Sequence, residues 1–412
     1  MVTVDAVDAL SLLSADAVRA SAQRMLALGL ADRLPHFRVD LTRLEAAVDL
    51  VLATMRKNYP SLDVPFHARW RHFVIGGVDR WAAIADMYRW RDQASRARAE
   101  FDLAIVSVLL DAGAGPTWRY RHRLTGGEIG RSEGLALASL DMFAAGAFSA
   151  VPGDPLRADA EALARLSVAD LRDGLQVDEH NTLVGLEGRV ALLRRLGELV
   201  AGTPSVFARH DTPRPGGLFD HLVAGSNGGA IAAAAILTAL LRELGPIWPS
   251  RITLGGVALG DCWRHPALGR DADGGDLVPL HKLSQWLTYS LIEPLMRAGI
   301  AVRNIDGLTG LAEYRNGGLF VDTGVLVLRD PAEAQRMHDV GSPLVVEWRS
   351  LTVALLDRLA EALRRRLELD AVSLPLAKVL EGGTWAAGRA IAQSRRADRT
   401  PPIAVRSDGT VF

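Results

Sequence analysis

Apolar side chains recur every three or four residues in segments closed by glycine or proline, and this limits the folds open to the 412-residue chain more than any other feature. Leu44, Val48, Val51, Leu52 and Met55 form one stripe between Arg43 and Lys57, before Pro60 and Pro65. Leu186, Val190, Leu193, Leu196 and Val200 form another between Gly185 and Ala201. Helices are also expected from Asp5 to Leu34, with Ser14 at an N-terminus, and from Glu133 to Phe148. The same pattern covers a stretch up to Leu166 and the run Leu351 to Leu367. Ala94 to Ala112 reads as an amphipathic helix stopped by Gly113, Gly115 and Pro116. Strand candidates are few and isolated: part of Trp70 to Trp81, Arg251 to Leu259, and Leu319 to Leu328. Isolated strands cannot build the parallel sheet of a doubly wound dinucleotide fold, so a mainly α class with a few short strands is expected.

Hydrophobic residues make up 49% of the chain and charged residues 23%, enough apolar material for a large core. A net charge of -1 gives no support for a nucleic-acid or membrane partner. The longest apolar run, Ala230 to Leu241, is bounded by Arg242 and Glu243, too short to span a bilayer, and reads as a buried helix. Cys262 is the only cysteine, so no intrachain disulfide can form. The N-terminus, with Asp5 and Asp8, lacks the basic and apolar pattern of a secretion signal. A cytoplasmic location is expected.

The familiar catalytic patterns are missing. The ten histidines are scattered, with no pair four residues apart to bring two imidazoles onto one metal. No Gly-x-Ser-x-Gly elbow is present, and nothing beside Cys262 marks it as activated. Gly225 to Gly229, before the Ala-rich segment, could cradle a phosphate but lacks the P-loop ending, and reads as a flexible helix start after a long connection from Thr203. Polar groups gather instead from His281 to Arg315. A helix bearing Lys282 and Gln285 turns at Gly299, and a segment with Asp306, Glu313, Tyr314 and Arg315 follows. Asp306 suits a helix cap. Glu313 is either paired with an arginine or functional, and Glu347-Trp348-Arg349, just before the long C-terminal helix, poses the same choice. The residues alone leave a paired hairpin and an active site both open.

Four runs carry a resemblance: NTLVGLEGR from Asn181 to Arg189, LGDCWRHP from Leu259 to Pro266, DGLTGLAEYR from Asp306 to Arg315, and SDGTVF from Ser407 to Phe412. Together they resemble, from end to end, the uracil-catabolism family represented by the fourth protein of the URC pathway. More distantly, the chain resembles the queuosine-salvage N-glycosidases, helical proteins akin to DNA glycosylases. Those carry a Tyr-Lys-Arg-Ala-Gln helix, then Leu-Thr-x-Phe-Ala-Asp-Tyr-Arg, then Glu-x-Glu-Ile-Arg. The matching residues here run from His281 to Gln285, from Leu308 to Arg315 and from Val345 to Arg349. Glu187 and Arg189 fall where that family has a Glu-Arg helix. Two positions depart: Glu313 stands for an aspartate and Leu283 for an arginine.

The resemblance implies one family-wide unit over residues 1–412, built as two interlocked helical lobes of roughly 1–200 and 201–412. It further implies hydrolysis of a C–N ribosidic bond, with urea leaving ribosylurea or its 5'-phosphate. Glu313 and Lys282 are then the catalytic groups, Glu313 as the carboxylate and Lys282 positioned to pair with it and with the substrate. Arg315, Tyr314, Glu347, Arg349, Gln285, Asp261 and Trp263 are the residues expected to bind substrate, and Trp263 and Trp286 could exclude solvent. The expected partner is a small ribosyl or ribosyl-phosphate molecule, and no cofactor or metal is implied. Two alternatives remain: a non-catalytic scaffold of the same pathway, and an amidohydrolase acting on the opened pyrimidine ring.

Overall fold

A computed structural model describes residues 9–406 except 112, 124, 211, 249–251, 270–274 and 398–399. Asp5, Asp8, Ala112, Asp211, Pro249, Arg251 and the run Ser407 to Phe412 lie outside the described residues. The fold is mainly helical, and every sheet among the described residues is a two-stranded ladder. None of the described helices is long and apolar enough to cross a membrane. The chain divides into two compact units, each assembled from separated segments.

Unit one comprises Met1–His67, Ser250–Gln285 and Asn304–Ser407. Its central element is the helix Pro343–Leu367, in which every residue from Leu344 to Leu356 is buried. Ser342 caps it by accepting from the Val345 N–H, and Pro343 fills the first position, where a missing N–H costs nothing. The sequence predicts this helix only from Leu351, because Glu347 and Arg349 look like loop residues. Both are buried and paired, so the helix begins eight residues earlier. Around it stand Ala15–Leu30, capped by Ser14 as expected, and Leu44–Asn58.

The strand expected over Leu319 to Leu328 is corrected: Tyr314–Asp322 is a helix, and only Leu326–Leu328 is extended, antiparallel to Phe37–Val39. Packing overrides β-propensity here. At Gly388 an added Cβ would lie 2.1 Å from the Arg315 carbonyl oxygen, so the helices Tyr314–Asp322 and Trp385–Arg395 approach at backbone contact.

Unit two comprises Ala68–Pro249 and Trp286–Arg303. Its helix Gln93–Leu109 is buried on every face from Ala97 to Leu109, a correction to the amphipathic reading. The charged residues on it are paired: Arg98 with Asp220 at 2.7 Å, Glu100 with Arg297 at 2.9 Å, and Asp102 with Arg214. The connection from Thr203 to Gly229 contains the helices Pro204–Phe207 and Gly217–Ala224, the second burying Phe219 and Leu222. The glycines that follow do not open the Ala-rich helix. The strand Ala230–Ala232, parallel to Ala301–Arg303, intervenes before Ala233–Glu243, and Gly228 and Gly229 make the positive-φ turn leading into it. Trp70 to Trp81 combines a 3-10 turn, the hairpin Val74–Ile75 with Val78–Asp79, and the start of the helix Arg80–Met87.

Candidate active site

All nine residues expected at the site belong to unit one. Three stretches supply them: the hairpin of Cys262–Arg264 with Leu277–Pro279, which leads to Lys282; the segment around Glu313; and the long helix. The hairpin is fixed locally by Trp263, whose ring lies so close to Gly341 that a Cβ there would come within 2.4 Å of it.

Asp261 and Arg349 form the hub. Arg349 donates end-on to both carboxylate oxygens, at 2.9 and 2.8 Å, and both side chains are buried. The Trp263 indole N–H donates to Asp261 Oδ1 at 2.7 Å, and the backbone N–H of Lys282 donates to Oδ2 at 3.0 Å. Each oxygen therefore accepts two hydrogen bonds. Burial pushes the Asp261 carboxyl upward, but Arg349 and these donors outweigh it and hold it down at about 2. Arg349 Nε donates to the Ala312 carbonyl at 3.3 Å, one residue before Glu313. The Asp261 carbonyl accepts from Leu280 and His281, the latter holding φ +46° immediately before Lys282.

A second clasp lies beside the first. Gln285 donates to Thr309 Oγ1 at 2.5 Å and accepts from the Thr309 N–H at 2.9 Å, with both residues buried. Thr309 received no role from the sequence, although it is the lone hydroxyl among Leu308, Gly310 and Leu311.

Lys282 is the first residue of the helix Lys282–Arg297 and is partly buried. Its ammonium makes no ion pair or hydrogen bond among the described residues, so no ion pair joins it to Glu313. Glu313 is also partly buried and stands at the N-cap position of Tyr314–Asp322, with Oε1 enclosed and no side-chain capping bond. Arg315 is buried, and its guanidinium lies 4.9 Å from the ring centroid of the neighbouring Tyr314, a cation–π distance.

Glu347 is fully buried, and its Oε1 accepts from the backbone N–H groups of Phe37 at 2.7 Å and His36 at 3.3 Å. His265 Nδ1 accepts from the Ala267 N–H at 3.3 Å, and its Nε2 lies 3.5 Å from Glu347 Oε2. His265 is another residue to which the sequence gave no site role. Trp286 is buried in unit two, its ring 5.7 Å from that of His72.

Asp306 does not cap the segment that follows it. Its carboxylate pairs with Arg364 and accepts from the Leu376 N–H at 2.6 Å, at the start of the helix Leu376–Val379. Burial and the charge of Asp261 push the Cys262 thiol up to about 12, which leaves it unreactive at neutral pH. In unit two, Arg189 donates to the carbonyls of Leu110 and Gly113, beyond the end of Gln93–Leu109, at 3.2 and 3.1 Å.

The chain belongs to the family described as "Protein of unknown function (DUF1688)", whose model matches residues 11–412. Among its relatives is "Protein urg3" of Schizosaccharomyces pombe, 39% identical over 411 residues, covering 97% of this chain and 98% of that protein. "Uracil catabolism protein 4" of Lachancea kluyveri is 37% identical over 409 residues, covering 92% of each. The resemblance to a uracil-catabolism family, first carried by four short runs, thus extends over nearly the whole chain.

Proposed function

We propose that this protein acts in uracil catabolism as an N-glycosidase that hydrolyses the C–N ribosidic bond of ribosylurea or its 5'-phosphate. The pathway is supported by the name of the Lachancea kluyveri relative, and the reaction by the resemblance of the Lys282, Glu313 and Arg349 stretches to queuosine-salvage N-glycosidases. A fold akin to those enzymes and to DNA glycosylases is part of the same proposal.

One observation carries the reading: Glu313 presents a partly enclosed carboxylate from a helix start that its own side chain does not cap. An oxocarbenium-like transition state needs such a carboxylate beside C1'. In the proposed reaction water adds to C1', the C1'–N bond breaks, and a proton from water ends on the departing urea nitrogen. Glu313 directs the water and stabilises the positive charge. Lys282, Tyr314 and Arg315 contact the substrate's polar groups, and Lys282 or Arg315 meets the phosphate when it is present. Incubating the purified protein with ribosylurea 5'-phosphate and with ribosylurea tests the reading. Urea should appear in step with the free sugar; absence of urea from both compounds rejects it.

A further inference from the structure

Two buried polar clasps hold together the segments that carry Lys282 and Glu313, and neither uses the side chain of either residue. In the first, the Asp261 carboxylate grips the backbone of Lys282, while its partner Arg349 grips the carbonyl of Ala312. In the second, Gln285, three residues beyond Lys282, takes both the hydroxyl and the N–H of Thr309. The ammonium of Lys282 makes no ion pair with a described residue, and hydrogen bonds between the two segments run through Asp261–Arg349 and Gln285–Thr309 to backbone groups.

We propose that Asp261 and Arg349 are positioning residues: their ion pair is a ruler that fixes the Lys282 backbone against the Glu313 backbone without touching substrate. The catalytic half of this inference rests on the N-glycosidase reading above; the mechanical half does not. Asp261 has both oxygens doubly occupied, and Arg349 spends all three guanidinium nitrogens on Asp261 and Ala312. A substrate group could displace these bonds only by stranding a buried charge. The carboxyl's depressed pKa agrees with a pair that stays ionised through the working pH range. The positive φ of His281 fits the same device, because His281 and Leu280 both donate to the Asp261 carbonyl and so turn the chain into the helix that begins at Lys282.

The experiment uses the full-length protein carrying Asp261→Asn, Arg349→Lys or Trp263→Phe. The first makes the anion neutral, the second loses the Nε bond to Ala312, and the third removes a single donor. Each is measured in two ways. In the urea-release assay Asp261→Asn should lower kcat on the order of 100-fold, as a displaced catalytic geometry does, with KM unchanged. Arg349→Lys should not restore kcat although it keeps the charge, and Trp263→Phe should lower it least. A rise in KM with kcat intact would mean that Asp261 contacts substrate, and a lowered Tm with normal kcat and KM would mean a merely structural role. Either result overturns the inference.

The second readout needs no substrate. Amide hydrogen exchange in Asp261→Asn should speed up together at residues 282–285 and 309–313, while Gln93–Leu109 in unit two stays protected. Faster exchange in only one of the two segments overturns the ruler. If the wild-type protein releases no urea and the coupled exchange is nonetheless seen, the N-glycosidase reading fails and the ruler stands. Should Asp261→Asn fail to fold, Trp263→Phe gives the same two readouts with smaller amplitude.

Discussion

Asp102 with Arg214 in unit two and Asp261 with Arg349 in unit one are both buried aspartate–arginine pairs, and the two differ in what they hold. In unit two, Arg214 brings Nε and a terminal nitrogen onto a single oxygen of Asp102, which also accepts from the Ala158 N–H, while the other oxygen accepts from the Gly216 N–H. These bonds tie the helix Gln93–Leu109 to two loops. In unit one, Arg349 meets Asp261 end-on, and the pair reaches outward to Lys282 and Ala312. Burial opposes both anions. It prevails at Asp102, whose carboxyl sits above its usual range despite Arg214, and it is outweighed at Asp261, held at about 2. The same two residue types thus serve as a packing element in one unit and as a positioning element in the other, and the difference lies in the backbone groups at their ends.

The largest effect is expected at the group that the unit-one pair positions. Glu313→Gln should lower urea release by roughly 10²- to 10⁴-fold, the usual contribution of a positioned acid or base, with the thermal unfolding midpoint nearly unmoved. Normal turnover by that variant would remove Glu313 from the mechanism. Next come Arg349→Met and Arg214→Met, each of which leaves a buried carboxylate without its counter-ion. Both should lose about 3–5 kcal/mol in denaturant unfolding. Only the first should lower kcat beyond its loss of folded protein; equal kcat losses in the two variants would dissolve the contrast between the units.

Acid separates the pairs by sign. The folded pKa of Asp261 is depressed, so its ionisation stabilises the fold above the usual aspartate value of 3.8, and that contribution, roughly 2 kcal/mol, fades as pH falls toward about 2. The folded pKa of Asp102 is raised, so protonation favours the folded state there. The stability gap between wild type and Asp261→Asn should therefore narrow on acidification, and the gap between wild type and Asp102→Asn should move in favour of wild type. Matching trends would contradict the electrostatic assignment. The smallest effect is expected from Thr309→Val, which breaks the second clasp: a loss of about 1–2 kcal/mol, with a smaller fall in kcat than Asp261→Asn gives.

The sequence made the helices legible wherever an apolar stripe met a solvent-facing side, as in Leu44–Asn58 and Leu186–Gly202. It failed where charges are buried in pairs, because Glu347 and Arg349 look like loop residues until the partners at His36, Phe37 and Asp261 are known. Those contacts span 310 residues for Glu347 with Phe37 and 88 for Arg349 with Asp261, distances at which periodicity carries no signal. The stretch from His281 to Arg315 was recognisable as a concentration of polar groups, and Glu313 as a residue to test. Thr309 and His265 gained their roles only from the fold. So did Arg19, which donates to the Asp306 and Leu308 carbonyls across 287 and 289 residues.

Whether Glu313 cleaves a ribosidic C–N bond is tested most directly by assaying wild type and Glu313→Gln in parallel on ribosylurea 5'-phosphate. Stoichiometric urea and ribose 5-phosphate are expected from the wild-type protein and almost none from a variant that folds normally. Equal urea release by the two proteins, or none from either, would contradict that role for Glu313.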